Sequence, residues 1–128
     1  MLFTAIFAEH IVIDSPSNAT TVAPGDVISV NYTVSPDAYA PIGSVRADLA
    51  AYDAKTILYP NITYAEWSDW HTQGGSVRGT WEVPEDLPSG WYHIIFKGVT
   101  GGHCTIPGTQ KYRTCPGEST SSTMIYVD

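Results

Sequence analysis

Metal ligation is the first chemistry to test in this chain of 128 residues, because four histidines, His10, His71, His93 and His103, are the side chains best suited to it. They are scattered. No His-x-His or His-Glu-x-x-His spacing places two of them on one strand or helix face, so no metal set is expected. A free amino group on His10 would chelate copper, but Glu9 is a poor residue before a cleavage point. Nucleophilic chemistry fares no better. A hydrolase serine needs a strained elbow of the Gly-x-Ser-x-Gly kind, and Gly74-Gly75-Ser76 opens a strand-like run instead. The two thiols, Cys104 and Cys115, would lose their reactivity in a disulfide. Glycosidase carboxylates would have to come from Asp69, Glu82, Glu85 and Asp86, of which Glu85-Asp86 reads as a solvated corner. No catalytic residue, metal or cofactor is expected, and the protein is read as a non-enzyme.

Recognition chemistry is better supplied. Trp67 and Trp70 fall in a polar aromatic loop, and Trp91 takes the outward parity of its strand. Aromatic side chains so placed can stack on sugar faces or anchor a protein interface, and these three are the binding candidates. Asn18-Ala-Thr, Asn31-Tyr-Thr and Asn61-Ile-Thr are N-glycosylation sequons. With the low lysine content and a count of two cysteines they favour a secreted, extracellular glycoprotein. Cys104 and Cys115, with ten residues between them, are then expected to be joined.

The elements that must position these residues are strands. Val77, Gly79, Trp81 and Val83 alternate with polar neighbours before a corner at residues 84 to 90; Tyr92, Ile94 and Phe96 alternate with Trp91, His93, Ile95 and Lys97 after it. Pro84, Pro88 and Ser89-Gly90 stop either run from continuing, so the chain has to change sheets there. Tyr92, just beyond Leu87 and Pro88, suits the tyrosine corner of Ig-like sandwiches, in which the hydroxyl bonds back to upstream backbone. Upstream, residues 10 to 14, 27 to 34, 45 to 54, 55 to 59 and 61 to 67 read as further strands, with Pro60 breaking the last two apart, and Asn31 on the solvent side of its strand. Val45, Ala47 and Leu49 should point inward, Arg46 and Asp48 outward. Gly98 to Ser121 reads as a disulfide-stapled excursion, and Ser122 to Val127 as the last strand. The fold class is therefore all-β: an Ig-like or fibronectin-type antiparallel sandwich of seven to eight strands spanning residues 10–128.

Thirteen acidic against six basic residues give a net charge of −7. That charge makes nucleic acid and anionic membrane surfaces poor partners, and no apolar run is long enough for membrane insertion as a helix. Residues 1–9 form an apolar arm containing Leu2, Phe3, Ile6 and Phe7. It serves either as a dimerisation strand or as the remnant of a signal peptide; the four large apolar side chains favour the first, with a homodimer as the outcome.

Ile13-Asp-Ser-Pro, then Val22-Ala-Pro-Gly-Asp-Val-Ile-Ser-Val-Asn-Tyr-Thr-Val, then the stretch from Trp81 to Ile94 resembles the Ig-like domain of fungal Ser/Thr-rich cell-wall and GPI-anchored proteins. The resemblance covers about two thirds of the chain and its motifs are structural. The resemblance is not expected to extend to the long Ser/Thr tail and anchor signal that the wall proteins carry, so it does not imply a covalent wall role. In size and character the chain also resembles the small immunomodulatory proteins of higher fungi. That likeness implies a dimer binding a cell-surface receptor on immune cells, with no catalytic site. Binding to cell-wall material or β-glucan is the alternative, and a secreted enzyme with an unrecognised site the third.

Overall fold

The computed structural model describes residues 11–35, 42–66, 75–105, 108 and 112–128; at Ile42, 100–105 and 112–116 the description is of the backbone alone. Eight strands make up this part of the chain: β1 (Ile11–Ser15), β2 (Thr20–Val22), β3 (Val27–Val34), β4 (Ile42–Ala50), β5 (Ile57–Glu66), β6 (Gly75–Glu82), β7 (Gly90–Thr105) and β8 (Tyr112–Val127). They form two sheets, one of three strands in the order β1-β3-β6 and one of five in the order β2-β8-β7-β4-β5. This is a β-sandwich of the expected Ig-like, fibronectin-type class. One pairing departs from the antiparallel rule, since β2 runs parallel to β8.

The alternation in the sequence becomes the core. Val30, Tyr32 and Val34 from β3 meet Val45, Ala47 and Leu49 from β4 and Ile94 and Phe96 from β7, all fully or almost fully buried. Tyr32 and Phe96 join the two sheets edge to face, with ring centroids 5.1 Å apart, a geometry aromatic rings prefer. Burial pushes the Tyr32 phenol upward, partly offset by the neighbouring Thr63 hydroxyl.

At residues 84 to 90 the chain does change sheets, from β6 in the smaller to β7 in the larger. The Tyr92 hydroxyl donates to the Pro88 carbonyl at 2.6 Å, so the tyrosine corner is formed. A buried hydroxyl with a carbonyl partner locks the corner, because losing either would leave a polar atom unpaired. A second change occurs between β1 and β2. There Asn18 Oδ1 accepts from the Met124 N–H at 3.0 Å and the Ala19 N–H donates to the Met124 carbonyl at 2.8 Å, turning the chain onto the β8 edge.

Four expectations are corrected. Residues 98 to 121 are not a loop excursion: β7 and β8 pair without a break from Gly90–Val127 to Thr105–Tyr112, one long hairpin. The segment is rich in Ser and Thr with little apolar content, yet Thr is a good strand former and the ladder supplies what the core does not. Pro60 does not interrupt a strand either. β5 runs through it as an edge strand, with the ladder passing from Ala47–Thr63 to Leu49–Tyr59, so that Pro60, Asn61 and Ile62 stand opposite Asp48 alone. An edge position and a bulge are where a strand tolerates proline. That bulge explains the third correction. Asp48 has outward parity yet is buried, because the bulge folds over it and the Asn61 N–H donates to its Oδ1 at 2.9 Å. Arg46 Nε lies 3.5 Å from its Oδ2, long for a hydrogen bond. Last, β4 ends at Ala50, and residues 52 to 54 turn instead of extending it.

Candidate binding surface

What distinguishes the larger sheet is its outer face. Along β7 the odd-numbered residues Trp91, His93, Ile95, Lys97 and Val99 point away from the core, and β8 sets Tyr126, Met124, Ser122, Thr120 and Glu118 opposite them in register. Trp91 is 41% exposed and meets Tyr126 edge to face, centroids 5.1 Å apart. Next to this pair Tyr52 is 66% exposed, and its ring lies 6.1 Å from that of His93. A His93 Nε2 contact of 3.1 Å to the Tyr52 carbonyl ties the β4–β5 turn to the sheet.

That turn is built by Asp53. Its Oδ1 accepts from the N–H groups of Lys55 and Thr56 at 2.8 and 3.0 Å, and Oδ2 from the Thr56 hydroxyl at 3.2 Å. An aspartate that bonds the backbone two and three residues on is a standard way to hold a tight turn. The backbone donors of Thr56 and Lys55 hold the Asp53 carboxyl below the usual carboxylate range. Tyr52 is thereby presented on a rigid support.

Further along the same face, Tyr64 is 58% exposed and its hydroxyl donates to Glu66 Oε2 at 2.8 Å. The Glu66 carboxylate raises the phenol pKa by accepting its proton in a hydrogen bond. β4 and β7 set Arg46 directly opposite Lys97, and with Ser44, Tyr64, Val99 and Glu118 these two cations line a hollow of about 220 Å³. A wider groove of about 640 Å³ crosses β8 between the β1–β2 turn and the β4–β5 turn, lined among others by Val12, Asn18, His93, Ile95, Thr120 and Ser122.

The candidate residues fall into three groups. Trp91 stands on the aromatic face as its parity required; Trp67 and Trp70 lie outside the described residues, as do Leu2, Phe3, Ile6 and Phe7. Cys104 and Cys115 sit in β7 and β8, with Cys104 opposite Arg113 and Cys115 opposite Gly102; their side chains are not described. Of the sequon asparagines, Asn18 is exposed in the β1–β2 turn and Asn61 on the β5 bulge. Asn31 points outward but is half-buried, because its Oδ1 accepts from the Gly79 N–H at 3.2 Å. Tyr52, Tyr64 and Tyr126 were not singled out from the sequence. For Tyr126 the signal was there: it shares the parity of Trp91 across a hairpin. For Tyr52 no periodic signal exists, since a turn residue obeys none.

Among the described residues no three His, Cys, Asp or Glu side chains come together to hold a metal ion. Glu82, Glu85 and Asp86 stand exposed on β6 and the turn after it, and none of them lines the groove. A scan against protein-family models finds no match, and no curated protein matches the chain.

Proposed function

We propose that this chain is a secreted, non-catalytic glycoprotein that binds a cell-surface receptor, in the manner of the fungal immunomodulatory proteins it resembles. The aromatic outer face of the five-stranded sheet carries the reading. Tyr, Trp and Met are enriched and fixed in the cores of protein interfaces, and here Trp91, Tyr126, Tyr52 and Met124 share one face with an Arg46–Lys97 pair. Residues 1–9 are proposed as the dimerisation segment, on the strength of Leu2, Phe3, Ile6 and Phe7 in the sequence just before β1.

The test is binding of labelled, endotoxin-free protein to macrophages. Trp91→Ser and Tyr52→Ser should each weaken binding by at least about tenfold, as interface anchors do, while Arg78→Ala and Thr80→Ala on the other sheet leave it within about twofold. Equal losses from both faces would overturn the assignment. Binding to β-glucan on a glycan array, abolished by Trp91→Ser and without binding to cells, would move the function to cell-wall recognition instead.

A further inference from the structure

Asn18 is a sequon asparagine and also part of the wall of the groove that crosses β8. Its side chain is held in one orientation, since Oδ1 accepts from the Met124 N–H at 3.0 Å. That bond uses the amide oxygen and leaves Nδ2, the atom that N-glycosylation substitutes, free to carry a sugar; the glycosylated amide keeps its oxygen, so anchor and modification coexist. We propose that the groove is the seat of the chain's own Asn18-linked glycan, whose first two N-acetylglucosamine residues lie across β8. The inference rests on the reading of the chain as a secreted glycoprotein.

The lining suits an uncharged amino sugar. A groove of about 640 Å³ lies within the range of pockets that hold ligands of drug size. Thr120 and Ser122 contribute hydroxyls to it, His93 an imidazole, and Val12 and Ile95 the apolar surface on which the C–H face of a pyranose rests. Strand geometry adds a specific feature. Both backbone groups of Met124 are turned toward the β1–β2 turn, the N–H to Asn18 Oδ1 and the carbonyl to the Ala19 N–H. Backbone groups in an antiparallel ladder alternate with a period of two, so Ser122 and Thr120 direct their N–H and C=O to the same edge, where β2 does not reach, because its pairing covers Ile125 to Val127 alone. An acetamido group carries one N–H and one C=O and pairs with such an edge as a strand would. Small outward side chains at 120 and 122, on a face otherwise populated by Trp91, Tyr126 and His93, leave the room.

The experiment uses the full chain secreted from yeast, with occupancy at Asn18, Asn31 and Asn61 read by mass spectrometry. An endoglycosidase that cuts between the two core sugars is applied to native and to denatured protein. In the native protein the Asn18 glycan should be released at least about tenfold more slowly than the Asn61 glycan, which sits on an exposed bulge, and the difference should vanish on denaturation. Ser122→Trp, which fills the groove from an outward position, should bring native release at Asn18 to within about twofold of Asn61. Equal release from Asn18 and Asn61 in the native wild type overturns the proposal, as does an empty Asn18 beside an occupied Asn61. Both leave the secreted-glycoprotein reading standing. Absence of glycan from all three sequons would overturn that reading and the seat together.

Discussion

The two sheets share an interior and differ outside. On the three-stranded sheet the outward residues bond to one another: Thr33 Oγ1 donates to Asp14 Oδ2 at 2.8 Å and lies 3.4 Å from Ser76 Oγ, while Asn31 holds the Gly79 N–H. Arg78, Thr80 and Glu82 add to a largely polar surface. It is broken at its margins by exposed Val12 and Val27 but carries no exposed aromatic among the described residues, close to the ordinary outer face of a solvated antiparallel sheet. The five-stranded sheet instead exposes Trp91, Tyr52, Tyr64 and Val99. Inward residues are constrained by a common core, so they look alike in both sheets. Outward residues are not, and the aromatic character of one face alone is what the proposed binding role rests on.

If that division is right, substitutions inside should be costly whichever sheet they come from. Phe96→Ala in the larger sheet should lower unfolding free energy by about 3–5 kcal/mol, and Val30 truncated to Ala in the smaller by a lesser but still measurable amount, as large-to-small core changes do. Chemical denaturation of the two variants checks this; a negligible effect at Val30 would mean that the small sheet is not sharing the core.

The hairpin that extends the larger sheet is the next place to break the symmetry. The sequence expects Cys104 and Cys115 to be joined, but the register sets them on a diagonal rather than opposite one another, roughly 7–8 Å apart and wider than a disulfide spans without backbone movement. If the ladder slips to join them, the non-reduced protein should show no alkylatable thiol by mass spectrometry. Reduction should cost about 2–3 kcal/mol in the loop-entropy account. Two alkylatable thiols would leave the hairpin held by its ladder alone.

A smaller effect is expected where the chain crosses between sheets. Tyr92→Phe removes the donor to the Pro88 carbonyl and should destabilise by about 1 kcal/mol or more; an unchanged denaturation midpoint would show the hydroxyl to be idle.

The smallest concerns the turn that presents Tyr52. Asp53 has its folded pKa depressed by the Thr56 and Lys55 donors. The ordering it gives is therefore fully present above the unfolded carboxylate pKa and is lost as pH falls through the lower folded value. Amide exchange at Lys55 and Thr56, corrected for the intrinsic pH dependence, should accelerate below the usual carboxylate range while that of Ile94 in the core does not. Dimerisation is tested apart from either face, by removing residues 1–8. The truncated protein should sediment as a monomer with its sandwich intact, and a persisting dimer would place the interface elsewhere.

Sequence alone determined the strands that alternate against the core. Val30, Tyr32 and Val34, or Tyr92, Ile94 and Phe96, carry their burial in a period of two, and Pro84, Pro88 and Gly90 announce the corner by removing donors and supplying turn geometry. The outward position of Trp91 followed from the same count. Only the tertiary structure decided the rest. Asp48 is buried because a bulge with Asn61 in left-handed backbone, φ 55°, folds over it, and a bulge leaves no mark in a hydrophobic pattern. The strand from Gly98 onward exists because β8 lies beside it, and a Ser- and Thr-rich segment does not reveal whether a partner will be there. The proposed binding face was equally hidden: Trp91 and Tyr64 are distant along the chain and come onto one surface through the register of β4, β5 and β7, which is set by the burial of the residues on the opposite side of the same strands, and Tyr52 joins them through the turn that His93 holds.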